Sequence, residues 1–117
     1  MINRLEDLTR ALRDFAAERD WEQFHSPKNL AMALSVEVAE LTEHFQWLTQ
    51  EESSNLSPEK RNGVSDELAD VLIYLVRLAD RLDIDLLQAA AQKMAVNAEN
   101  YPVQKSRGRS DRPVISR

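Results

Sequence analysis

The sequence predicts an all-α fold of four helices in one domain. Three observations predict it. Only two glycines and four prolines interrupt 117 residues, so long helices meet few breaks. Apolar residues recur at intervals of three and four along most of the chain. Finally, two segments thirty residues apart share one pattern: Leu34/Val64, Val38/Leu68, Leu41/Val71, Phe45/Leu75 and Leu48/Leu78, with His44 matched to Tyr74. At about 100° per residue those apolar positions make one stripe on each of two helices.

The first predicted helix covers residues 3 to 19. Leu5, Leu8, Leu12 and Phe15 form its stripe, Glu6 and Asp7 fall outside it, and Ala16 and Ala17 favour the helical state. An amphipathic core helix is a sufficient account of this segment. A short loop follows from Asp20 to Lys28, with Trp21, Phe24 and His25 close together. Aromatic side chains in such a loop either plug the core or stack on a planar ligand such as a nucleobase, with Gln23 or His25 reaching its polar groups.

Ser26-Pro27 is a helix-start signal, with Ser26 as N-cap and Pro27 in the first helical position. The second helix runs from there to about Thr49. Trp47 is expected near its acidic edge, walling a pocket or packing against another subunit. Gln50 to Leu56 is polar and reads as a loop. Ser57-Pro58 repeats the start signal, and the third helix runs to about Leu82. Gly63 is expected to mark a frayed or bent first turn. Tyr74 lies one turn beyond Asp70 on the same face, where it either serves a ligand or is an ordinary half-buried tyrosine. Asp85-Leu-Leu-Gln88 has the form of a capping box. It opens a fourth helix that ends near Asn100, before Pro102. Lys93 and Asn97, one turn apart, either hold phosphate oxygens or face water.

From Val103 the chain turns basic. Lys105, Arg107, Arg109, Arg112 and Arg117 oppose only Asp111, while Gly108 and Pro113 disfavour regular structure. The expected organisation is therefore a helical domain over 1–102 and a basic tail over 103–117. That tail is either solvated or folded over a polyphosphate or a neighbouring subunit.

Two acid pairs lie in the repeated pattern, Glu37-x-x-Glu40 and Glu67-x-x-Asp70. Residues three apart on a helix point the same way, so each pair sits at the edge of its apolar stripe. A single pair of this kind is ordinarily a solvated face. Two in the same phase also fit a second reading: helices that pack by these stripes bring four carboxylates to one seam. Such carboxylates repel one another and resist losing water. A divalent cation relieves both, and all-oxygen ligation suits a hard ion such as Mg²⁺, which commonly binds phosphates too. Iron fits less well, because di-iron bundles use Glu-x-x-His and His44 here follows Glu40 by four residues.

The net charge of −5 argues against binding a nucleic-acid polymer. It leaves nucleotides open, because a metal carries the phosphate charge. The chain has no cysteine, hence no disulfide framework and no thiolate site, as suits the cytoplasm. No apolar run approaches the ~20 residues of a membrane span. The N-terminal residues do not read as a signal peptide.

Read as a series, Trp21-Glu-Gln-Phe-His25, Pro27-Lys-Asn-Leu30, Glu37-Val-Ala-Glu40-Leu, Phe45-Gln-Trp47, Asp66-Glu-Leu-Ala-Asp70-Val-Leu-Ile-Tyr74, and Asn97 with Tyr101-Pro102 are familiar. They resemble the MazG-like all-α nucleoside triphosphate pyrophosphohydrolases, most of all the dCTP pyrophosphatase branch, over roughly residues 5 to 109. The resemblance implies Mg²⁺-dependent cleavage between the α- and β-phosphates, giving a nucleoside monophosphate and pyrophosphate. It implies that Glu37, Glu40, Glu67 and Asp70 are the metal-binding and catalytic acids. Trp21, His25, Trp47 and Tyr74 are then contacts for base and sugar, and Lys93 and Asn97 contacts for phosphates, with Lys105 and Arg107 as weaker candidates. It also implies an intertwined helical dimer, usually doubled to a tetramer. Two positions depart from the branch: Leu12 stands where members often have histidine, and Asn100 where many have a basic residue. The functional expectation is hydrolysis of dCTP or modified dCTP. The alternatives are the same chemistry on another nucleoside triphosphate, and a non-catalytic helical oligomerisation module.

Overall fold

The computed structural model describes residues 1–111, and among these the regular structure is entirely helical. The helices are α1 (Leu5–Glu18), α2 (Pro27–Glu43), α3 (Gln50–Ser53), α4 (Pro58–Arg81), α5 (Leu86–Asn100) and α6 (Val103–Ser106), with one 3₁₀ turn at Glu22–Phe24. The four predicted helices are α1, α2, α4 and α5. The starts follow from the caps. Ser26 Oγ accepts the Asn29 N–H at 3.1 Å, Ser57 Oγ the Lys60 N–H at 3.2 Å, and Asp85 Oδ1 the Gln88 N–H at 3.1 Å. Each such cap is worth about 1 kcal/mol.

The end of α1 aims the loop that follows. Asp20 takes a left-handed φ of 53°, its N–H donates to Ala17 C=O at 3.1 Å, and the Trp21 N–H donates to Ala16 C=O at 2.9 Å. These paired bonds close the helix as a Schellman motif, with aspartate where glycine is usual. Trp21 is thereby fixed by backbone bonds. Asp83, after α4, adopts the same conformation with φ of 55°.

Three expectations need correction. The second helix ends at Glu43, not Thr49. Beyond it the chain tightens into turns, Phe45 N–H to Thr42 C=O at 2.9 Å and Leu48 N–H to Phe45 C=O at 2.9 Å, so Phe45, Trp47 and Leu48 leave the helical stripe. The expected loop at Gln50 begins with a turn of helix, because Thr49 and Glu52 cap each other reciprocally: Thr49 Oγ1 accepts the Glu52 N–H at 3.1 Å and Glu52 Oε1 the Thr49 N–H at 2.9 Å. Gly63 does not fray α4, which is continuous from Pro58. Its role is space, since a Cβ there would lie 2.8 Å from His44 Cε1.

The described chain forms two compact units, Met1–Asp83 and a second from Ile84 onward. In the first, α4 is the central element and packs against both α2 and α1. The pairing of α2 with α4 is antiparallel: Glu37 lies near Asp70, whereas His44, two turns further along α2, lies against Gly63. The buried apolar residues are Ala16, Leu30, Val64, Val76 and Ala79. The predicted stripe is therefore only partly covered within one chain. Val64 is buried, but Val38, Leu68 and Leu75 are exposed. Arg13 on α1 ties to Asp80 on α4 through two hydrogen bonds, Nε to Oδ2 at 2.7 Å and Nη2 to Oδ1 at 2.5 Å.

The second unit contains α5 and α6. No residue of α5 is buried, and Leu87 and Met94 are strongly exposed. The change to basic composition at Val103 falls inside this unit and coincides with the single turn α6, although irregular structure was expected there. Arg112, Pro113 and Arg117 lie outside the described residues. Among those described, no helix is long and apolar enough to cross a membrane.

Candidate metal centre

The antiparallel pairing of α2 and α4 places the two acid pairs against each other. Glu37, Glu67 and Asp70 each offer a carboxylate oxygen, and these oxygens all lie within 4.8 Å of one another. Glu40 stands close enough to act on both glutamates: its charge, and a hydrogen bond, raise the pKa of Glu37 and of Glu67. All four residues are half-buried.

Proximity and desolvation have a clear electrostatic consequence. The Glu37 carboxyl is raised to about 7, first by burial, then by a hydrogen bond to Glu67 and by the charges of Glu40 and Asp70. Glu67 is also raised, burial again being the largest cause. Without a cation the seam favours keeping a proton on Glu37, since neighbouring carboxylates cannot all ionise cheaply. Glu37 Oε2 and Glu67 Oε2 are nonetheless buried with no hydrogen-bond partner. Buried carboxylate oxygens are costly unless paired or coordinated. An oxygen-only donor set with two orphaned oxygens fits a hard divalent cation.

The remaining predicted residues are placed as follows. Trp21 and His25 stand together beside the 3₁₀ turn, ring centroids 6.3 Å apart and 62° between planes. Trp21 also meets Phe15 edge to face at 5.7 Å. Tyr74 is half-buried on α4, one turn past Asp70. Trp47 lies on the turns after α2, not on the helix, and is 86% exposed. Lys93 and Asn97 are exposed on α5, in the second unit.

Two residues were missed. Arg77 reads in sequence as one charge among many on a long helix, yet it is only 5% exposed. Its Nε–H donates to His25 Nδ1 at 3.2 Å, and Nη1 lies 3.5 Å from Asp80 Oδ2. The available signal was its register, seven residues beyond Asp70, on the acid-bearing face of the helix. His44 over Gly63 is the second: both positions were noted, but nothing local joins residues nineteen apart.

A helical hairpin that brings two E-x-x-E/D pairs together defines the class of protein. The MazG-like family model matches residues 32–112, and the chain belongs to this family. Among curated relatives, dCTP pyrophosphatase 1 of Mus musculus is 53% identical over 106 residues, 89% of this chain and 62% of its own length. The protein of that name from Homo sapiens is 51% identical over 108 residues, 91% of this chain and 64% of its own. The chain thus spans a little under two thirds of these relatives. A solved structure of a pyrophosphatase from Archaeoglobus fulgidus superposes with a TM-score of 0.80 at 41% identity, covering 87% of this chain and 95% of that one.

Proposed function

We propose that this chain is a Mg²⁺-dependent nucleoside triphosphate pyrophosphohydrolase that converts dCTP, or a modified dCTP, to the monophosphate and pyrophosphate. The observation that carries the proposal is the convergence of Glu37, Glu67 and Asp70 within 4.8 Å, with two buried oxygens left unpaired. The similarity to proteins named dCTP pyrophosphatase 1 supports the substrate class.

In this reading Glu37, Glu40, Glu67 and Asp70 hold the cation. When bound, it neutralises phosphate charge and makes water more acidic. The protein's own share is positional. The antiparallel hairpin fixes the acids before substrate arrives, and their partial burial limits competing water. A carboxylate of the seam takes the proton from the attacking water, and attack runs in line with the departing pyrophosphate. Exposed Trp21 and half-buried Tyr74, both in the first unit, supply flat surface for base and sugar. No side-chain nucleophile is needed.

A homo-oligomer, dimer or tetramer, belongs to the same proposal. Val38 and Leu68, on the predicted stripes of α2 and α4, are exposed in the single chain, as is Trp47, and such a stripe suits contact with a second copy. We read its compartment as the cytoplasm, on the cysteine-free sequence alone.

The test is pyrophosphate release from a panel of nucleoside triphosphates, with and without Mg²⁺. Cation-dependent release that is fastest with dCTP is expected. Substitution Glu67→Gln should lower it by at least about a hundredfold, the scale for removing a group that supports the transition state electrostatically. Unchanged release in that variant rejects the ligand set, and equal release from all bases rejects the dCTP preference.

A further inference from the structure

Arg77 poses a problem that the hydrolase reading leaves unsolved. It is a buried cation with incomplete pairing. Asp80, its acidic neighbour, is engaged more closely by Arg13, at 2.7 and 2.5 Å, than by Arg77, at 3.5 Å. Arg77 Nη2 is buried without a partner. A guanidinium so placed is expensive, and its one well-made side-chain bond goes to His25 Nδ1.

That bond determines the chemistry of the histidine. A guanidinium only donates, so Nδ1 must offer its lone pair and the ring hydrogen must sit on Nε2. Protonating Nδ1 would set two donors, both cationic, against each other.

We propose that Arg77 is a positioning residue that locks His25 as the neutral Nε2–H tautomer, making His25 a fixed hydrogen-bond donor to an acceptor atom on the nucleobase. The proposal rests on the nucleotide reading above and extends it to base selection. The layout agrees with it. Trp21, 43% exposed, offers ring surface beside His25. Arg77 lies seven residues past Asp70, about 10 Å along the helix axis. That is comparable to the reach from an α-phosphate across a sugar to its base, and Tyr74 falls between the two. Cytosine presents adjacent acceptors at O2 and N3, whereas uracil and thymine carry a hydrogen on N3. A donor that cannot switch to acceptor discriminates between them when it is directed at N3, since O2 accepts in all three.

Burial and the neighbouring cations act in the same sense. Burial is the largest cause holding the His25 pKa below the ordinary histidine value, followed by Arg77 and Arg81 on α4. Glu22, in the adjoining 3₁₀ turn, opposes them. Asp80 on α4 pairs with Arg77 and with Arg13 on α1, so these two charges stand on the far side of the guanidinium's bond to the ring.

The test is nitrogen-15 NMR of the imidazoles. The chain has two histidines, so His44→Gln assigns the signals. In the wild-type protein His25 is expected to carry its hydrogen on Nε2 and to stay neutral below the ordinary range. In Arg77→Leu, with helical circular dichroism retained, it should become a tautomer mixture and titrate closer to the ordinary value. Arg77→Lys, which keeps one donor, should restore part of the wild-type signature. For dCTP hydrolysis, Arg77→Leu should raise KM about tenfold, the worth of one well-placed hydrogen bond, with a smaller change in kcat. The preference for dCTP over dTTP should fall with it. Wild-type His25 with hydrogen on Nδ1 overturns the proposal without recourse to any variant, as does an Arg77→Leu protein with unaltered His25 signals. A wild-type chain that turns over no nucleoside triphosphate overturns the role at the base, whatever the tautomer, and with it the hydrolase reading.

Discussion

At the scale of single residues the seam is a store of unfavourable charge, and its sign is measurable. Glu37 ionises at about 7 in the folded chain, against 4.5 for an ordinary glutamate. The folded state thus binds more protons than the unfolded state between those values. The contribution of this group is fully present below the unfolded pKa and is lost as pH rises through about 7. Without metal, the melting temperature of wild type relative to Glu37→Gln should therefore fall from pH 5 to pH 8, a trend that scanning calorimetry in chelator will check. His25 has the opposite sign. Its pKa is lowered, so its contribution is present above the unfolded value and is lost as pH falls. Mg²⁺ requires ionised ligands, so its binding near pH 6 should release protons. Titration calorimetry in buffers of different ionisation enthalpy will count them, and buffer-independent heats would exclude a proton kept at the seam.

At the scale of elements, the helices are held by caps and by one close crossing. Ser57→Ala removes the bond to the Lys60 N–H and should cost about 1 kcal/mol in denaturant unfolding. Gly63→Ala tests the crossing. Alanine is favoured over glycine within a helix by about 1 kcal/mol, yet its Cβ would fall 2.8 Å from His44 Cε1. The substitution should be neutral or destabilising alone and stabilising in a His44→Ala background. Additive effects would show that the ring simply swings away.

The same elements show what could be read from the sequence. The four long helices were legible because periodicity and Ser-Pro starts are local signals. Both acid pairs were legible because their phase matched the apolar stripe. The end of α2 at Glu43 was not, since Phe45 and Leu48 kept the apolar rhythm after the backbone had left it. The turn at Gln50 was not, since four polar residues are helical only through a reciprocal cap. Arg77 was invisible because its burial depends on α1 and the His25 loop, and a sequence does not show which charge tertiary packing will enclose.

At the scale of the whole molecule, the imbalance is between core and surface. Among the described residues five apolar side chains are buried, while Trp47 is 86%, Val103 73% and Met94 71% exposed. Association that covers such residues should make the melting temperature rise with protein concentration and give a sedimentation mass that is a multiple of 13.4 kDa. A 13.4 kDa species at all concentrations would reject it. Trp47→Ser should weaken association, because a large exposed aromatic is the usual anchor of a contact between subunits.

The poorly covered stripe of Val38, Leu68 and Leu75 has a cellular consequence. A newly synthesised copy that has met no other offers chaperones and proteases the greasy surface they recognise. Cellular supply should then be self-correcting, with surplus or truncated polypeptides degraded and assembled ones spared.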